Sequence, residues 1–147
     1  MKKSLWIAML LVFVSVTAGH AKTMSIAQDN VKVRVKPSKR ARVLLSAPKG
    51  YPILVKKRKQ NWLYVEDWHG QKGWVGKNLV SGIPTTIVRA DKANVRKGPS
   101  RKNSPVTQAT HGQIYKVLGV RGGWVKIGYY FENEPIGWIH DDLVWGY

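Results

Sequence analysis

The chain has 147 residues, no cysteine, 25 lysines and arginines against eight acids, and a formal net charge of +17. These figures exclude a disulfide scaffold, a thiolate metal site and a cysteine nucleophile within this sequence. The charge points to anionic partners, drawn in over roughly 8–10 Å at physiological salt, and carries no information about fold.

The first segment opens with Lys2 and Lys3, continues through an apolar run from Leu5 to Ala18, and closes on the small residues Gly19 and Ala21. That is the order of a secretory signal peptide with cleavage after Ala21. A membrane-spanning helix needs about 20 apolar residues, which this run does not reach. The expectation is a periplasmic or secreted protein with no transmembrane anchor after cleavage. A lipoprotein is excluded because no cysteine is available to carry the lipid.

From Lys22 onward the pattern is β. Ile53 and Val55 alternate with Leu54 and Lys56, and Leu63 and Val65 alternate with Trp62, Tyr64 and Glu66. Period two over four to six residues marks strands with one buried face. Turn signals recur at Lys36-Pro37-Ser38, Pro48-Lys49-Gly50, Gln60-Asn61 and His69-Gly70, and again at Gly98-Pro99-Ser100, His111-Gly112, Gly122-Gly123 and Asn133 to Pro135. No stretch in this part has a helical apolar repeat.

The recurrence has a register. Displaced by 62 positions, Asp29, Val33, Arg34, Pro37, Ser38, Ala47, Gly50, Val55 and Trp62 meet identical residues up to Trp124. After a two-residue insertion, Gly73-Trp74 meets Gly137-Trp138, and Leu79-Val80 meets Leu143-Val144. The chain is read as two homologous units, 22–80 and 86–147, joined by a linker at 81–85 that Pro84 stiffens. Each unit is small enough to need large side chains in its core, a need the tryptophans would meet.

An opening Val-Arg-x-x-Pro-Ser, a turn leading to a tryptophan, a Gly-Trp pair and a closing Leu-Val together resemble the bacterial Src-homology-3-like (SH3-like) domain. The resemblance covers both units. It implies an all-β fold class, two tandem small barrels of five to six strands, and a module without catalysis in the bacterial envelope. Lys36 departs from the pattern, since it stands where the second unit has Gly98.

Candidate ligand-binding residues are Trp62 and Trp124, which either line a groove or pack inward, and Tyr64, Trp68, Tyr129 and Tyr130 near the third loop. Trp74 and Trp138 read as core residues at a backbone bend. Lys36, Lys39, Arg40 and Arg42 in the first long loop, with Lys56 and Arg58 on the densest charge run, are candidate anion contacts; the alternative for that run is a lysine-protected edge strand. Arg34 and Arg96 read as braces that donate to carbonyls. His140-Asp141-Asp142 lacks a second histidine at ligand spacing, so no metal, no cofactor and no catalytic residue is expected. The expected function is a non-catalytic exported binding module for cell-wall peptide or glycan, another anionic envelope component, or an envelope protein. The alternative is a basic aromatic barrel for nucleic acid or another polyanion, which export argues against.

Overall fold

The computed structural model describes residues 21–147. The signal-peptide reading rests on residues 1–20 and Ala21, so all but its last position lies outside the described residues.

Two seven-stranded antiparallel sheets follow one another along the chain. The first comprises β1 (Lys22–Ile26), β2 (Val31–Arg34), β3 (Val43–Ala47), β4 (Pro52–Lys59), β5 (Trp62–Glu66), β6 (Lys72–Gly76) and β7 (Val80–Ser81), with a 3-10 turn at Lys77–Leu79. The second comprises β8 (Thr85–Val88), β9 (Lys92–Arg96), β10 (Pro105–Thr110), β11 (Ile114–Arg121), β12 (Trp124–Gly128), β13 (Pro135–His140) and β14 (Val144–Trp145), with a 3-10 turn at Asp141–Leu143. The strand orders are β3-β2-β6-β5-β4-β1-β7 and β10-β9-β13-β12-β11-β8-β14, one plan used twice. The count exceeds the expected five to six because each unit ends in a two-residue strand, β7 or β14, that pairs back onto its first strand.

Each sheet curls around its own core. Ile26, Val33, Ile53, Leu63, Val65 and Val75 come from five strands and meet in one cluster. Val88, Val95, Val125, Ile127, Ile139 and Val144 do the same in the second unit. A sheet whose strands all face one cluster must be strongly bent, and matched register shifts at Val55/Lys57 and Val117/Gly119 supply part of that bend. The cores are aliphatic. Among the described tryptophans only Trp124 is buried, so the expectation of tryptophan-filled cores is corrected.

Trp74 and Trp138 are likewise half-buried rather than core. The inward position beside each belongs to a glycine, and alternation turns the indole outward. A Cβ on Gly73 would lie 2.9 Å from the Arg34 carbonyl oxygen, and one on Gly137 would lie 2.5 Å from that of Arg96. Only glycine allows the backbones to approach this closely.

The Lys36/Gly98 difference has a steric explanation. Neither residue has positive φ. A Cβ on Gly98 would sit 2.7 Å from Asn103 Nδ2, whereas the matching position in the first unit is the short Ala41, which leaves room for Lys36. The braces form as expected: Arg34 Nη1 donates to the Ala41 carbonyl at 2.7 Å, and Arg96 Nη1 donates to that of Asn103 at 2.9 Å.

The units touch along a seam. Ser25 Oγ donates to the Ile83 carbonyl at 2.7 Å, and the fully buried Thr85 Oγ1 donates to the Gly50 carbonyl at 2.6 Å. Lys49 Nζ lies 4.5 Å from the Phe131 ring centroid, and the Trp68 and His111 rings stand 5.1 Å apart.

Candidate functional site

In each unit the loop after the second strand, the start of the fifth strand and the end of the sixth converge on one concavity. Strand alternation sets its lining. In β2, Val31 and Val33 point into the core, so Lys32 and Arg34 point out. In β5, Leu63 and Val65 point inward, so Trp62 points out. The loop from Pro37 to Lys39 forms one wall, and Lys77 and Asn78 of the 3-10 turn form the other.

The first unit holds an open groove of about 1040 Å³. Trp62 is half-buried in its wall, with Asn61 beside it. Lys32, Arg34, Lys39 and Lys77 all line it, and no carboxylate does. Lys32 Nζ donates to Asn30 Oδ1 at 2.7 Å and to Ser46 Oγ at 2.9 Å, neutral oxygens that orient the ammonium without neutralising it. Among the described residues none of these four cations has an ion-pair partner.

The corresponding concavity of the second unit is about 280 Å³, lined by Asn94, Arg96, Arg101, Trp124, His140 and Asp142 among others. Several lining positions differ between the units, and one of them lies directly across from the tryptophan. Across the β5–β6 ladder Trp62 faces Gly76, whereas across β12–β13 Trp124 faces His140. The His140 ring packs edge-on against the Trp124 indole, with centroids 5.0 Å apart at 80°, and leaves Trp124 only 7% exposed. His140 Nδ1 is in turn 3.3 Å from Asp141 Oδ1 and accepts from the Asp142 amide at 3.3 Å. His140, Asp141 and Asp142 present ligand atoms within 4.8 Å of one another. All three are consecutive in sequence, so one turn of chain supplies the whole cluster.

The sequence-derived site residues fall in several places. Trp62 and Lys39 line the first groove, and Trp124 lies beneath the plug in the second. Tyr64 is on the outer face of the first sheet, 5.0 Å from Trp74, with Lys57 Nζ 4.9 Å above its ring. Trp68 and Tyr130 are at the seam, and Tyr129 is exposed beside Tyr115. Lys36, Arg40 and Arg42 are exposed and outside the groove lining, as is Arg58. Lys56 pairs with Glu66 at 2.9 Å, and that ammonium holds the Glu66 carboxyl below its usual range. Lys57 to Lys59 pair only with β5, on a hairpin end that projects past β1. Lys32, Lys77, Asn78 and Gly76 were missed. Their signal was the comparison of the two units at Gly76 and His140, the position where the groove is decided.

At the seam, Tyr51 Oη donates to Asp67 Oδ2 at 3.0 Å, and Asp67 Oδ1 accepts from the amides of His69 and Gln71. Burial first, then the charge of Asp67 and the bond to it, push the Tyr51 phenol far above its ordinary pKa.

Two sheets of this order, each wrapped on an aliphatic core, define a pair of SH3-like units. Residues 27–82 match one bacterial SH3 domain family and residues 91–144 match a second of the same description, so the chain belongs to the bacterial SH3 domains in tandem. It is also 29% identical, over 93% of its length, to a Bacillus subtilis protein carrying the name "Putative N-acetylmuramoyl-L-alanine amidase". The chain spans 28% of that relative's length. Among solved structures, NlpC2 from Trichomonas vaginalis is 16% identical, with 85% of this chain and 48% of that chain covered at a TM-score of 0.39. An NlpC/P60 family protein from Bacillus cereus is 12% identical, with 86% and 56% covered, also at 0.39.

The amidase relative corrects two expectations, that of a purely non-catalytic binding module (with its polyanion-binding alternative) and that of no enzymatic role. The cause of the misreading is physical. A search for nucleophiles and paired carboxylates asks whether a reaction centre stands in the stretch being read. It does not register a likeness in sequence to a named amidase.

Proposed function

We propose that the chain works in enzymatic hydrolysis of the bacterial cell wall, as part of an N-acetylmuramoyl-L-alanine amidase activity. The 29% identity to the named amidase across 93% of the chain carries this reading. In it the units 22–80 and 86–147, joined by residues 81–85, present the wall strand to the reaction, and the groove at Trp62 is the contact surface. Lys39 is an anion contact within it. An exported location, reached through the signal peptide cleaved after Ala21, fits a substrate that lies outside the cytoplasm.

The test is digestion of purified peptidoglycan by the chain, alone and together with an amidase catalytic domain. New L-alanine amino termini are counted by dinitrophenylation, and new reducing ends are counted in parallel. The expected result is faster appearance of alanine termini in at least one arm, with no new reducing ends. No acceleration in either arm, or reducing ends instead of alanine termini, overturns the proposal.

A further inference from the structure

The two concavities are built from one plan, yet they differ at the ladder position that faces the tryptophan, and one acid, Asp142, joins the basic lining of the second. In the first, Trp62 faces a glycine and the flanking charges are all positive. In the second, Trp124 faces His140, and Asp142 stands where the first unit has Asn78. The first is therefore an open cationic trough with an aromatic wall, and the second is the same trough filled from within.

We infer that the first groove binds a glycan strand whose sugars carry free carboxylates, and that His140 closes the second groove to the same ligand. Three properties of the first groove select that ligand. Its volume of about 1040 Å³ lies at or above the ~300–1,000 Å³ of ordinary small-ligand pockets, which suits an oligomer rather than a single sugar. The half-buried indole of Trp62 offers a flat apolar surface in the groove wall on which a pyranose face can rest. Asn61 and Asn78 offer neutral amides to hydroxyl and acetamido groups, while Lys32, Lys39 and Lys77 stand along the trough without a counter-charge in its lining. A neutral strand would leave those charges uncompensated. A strand with a carboxylate on alternate sugars would pair with them.

This inference rests on the amidase reading for the identity of the sugar. Amidase hydrolysis adds water across the bond between the lactyl carbonyl of muramic acid and the L-alanine nitrogen. The C–N bond breaks, the lactyl carbon keeps the water oxygen as a carboxylate, and the alanine nitrogen leaves as an ammonium. Before cleavage the lactyl group is a neutral amide; afterwards each muramic acid bears a negative charge. The groove is thus matched to the strand that the reaction releases, and it holds the protein on wall already stripped of its peptides.

The experiment uses the whole protein and follows the indole N–H signals of Trp62 and Trp124 by nuclear magnetic resonance. Four probes are titrated: peptide-free glycan strands with free muramic carboxylates, the same strands with peptides attached, a neutral N-acetylglucosamine hexamer, and a single-stranded oligonucleotide. The peptide-free strands are expected to shift Trp62, leave Trp124 in place, and bind at least about tenfold tighter at low salt than the neutral hexamer, the scale of a few exposed ion pairs. They are also expected to bind tighter than the peptide-bearing strands and the oligonucleotide. Gly76→His, which copies the plug into the first unit, is expected to abolish the Trp62 shift. Position 76 has ordinary extended backbone, and an added Cβ would lie 3.2 Å from Asn78 Oδ1, a side-chain atom that can shift by a few tenths of an ångström to admit it. His140→Gly is expected to make Trp124 respond as Trp62 does.

Equal affinity for the neutral hexamer, tighter binding of the peptide-bearing strand or the oligonucleotide, a shift at Trp124 in place of Trp62, or no shift at all would overturn the inference. The strands are prepared with an unrelated amidase, so failure here leaves the hydrolysis assay to judge the amidase reading separately.

Discussion

Thr85→Val tests whether the seam between the units holds them as the hydrogen bonds indicate. Thr85 is fully buried, and its hydroxyl donates to the carbonyl of Gly50, 35 residues away in the other unit, at 2.6 Å. Valine keeps the branched shape and removes the donor, so the buried Gly50 carbonyl is left without it. An orphaned buried acceptor costs about 1–3 kcal/mol. For a chain of this size each kcal/mol lowers the melting temperature by roughly 2–8 °C. The assay is urea and thermal unfolding followed by tryptophan fluorescence, with the urea slope checked so that a change in midpoint reports stability. Ser25→Ala serves as the comparison. Its hydroxyl donates to the Ile83 carbonyl, in a partly exposed linker where water can replace it, so a smaller loss is expected. A Thr85→Val loss below about 0.5 kcal/mol, within the range of an ordinary surface change, would refute the seam as described.

Alkaline pH should destabilise the protein. The neutral Tyr51 phenol is favoured in the fold, so its stabilisation is present below the unfolded tyrosine pKa of about 10 and is lost as pH rises beyond it. Unfolding free energy measured at pH 9 and pH 11 should fall in the native protein and fall less in Tyr51→Phe; equal slopes would contradict the Tyr51–Asp67 assignment. Gly137→Ala should cost at least about 2 kcal/mol or prevent folding, because its Cβ would meet backbone at 2.5 Å. Gly119→Ala, with nothing within 4 Å, should stay within about 0.5 kcal/mol in the same denaturation assay. Glu66→Gln should change stability by less than about 1 kcal/mol at pH 7, since its pair with Lys56 is exposed.

Much of the architecture was legible in the sequence because a repeat constrains two copies at once. The matched Val33/Val95 and Gly73/Gly137 positions hold matched places in the two sheets, and alternation named Leu63, Val65, Val125 and Ile127 as core. The role given to tryptophan was wrong for a local reason. Trp62, Trp74 and Trp138 alternate with smaller residues that take the inward side, so size alone misplaced them. The groove was only partly visible. Trp62 and Lys39 belong to it, but Lys32 and Lys77 meet them only through the curl of the sheet, which a linear reading does not supply. The aromatics near the third loop were read alike as candidate contact residues, yet Tyr64 and Trp68, four residues apart, lie on the outer face and at the seam.

The central claim is that one ladder position, glycine in the first unit and histidine in the second, leaves one indole lining an open groove and the other covered. Fluorine-labelled tryptophan, assigned by single substitutions, reads this directly through the shift of each resonance between light and heavy water. The account predicts a clear solvent shift at Trp62 and almost none at Trp124, with His140→Gly restoring the shift at Trp124. Equal shifts at both indoles in the native protein would contradict it.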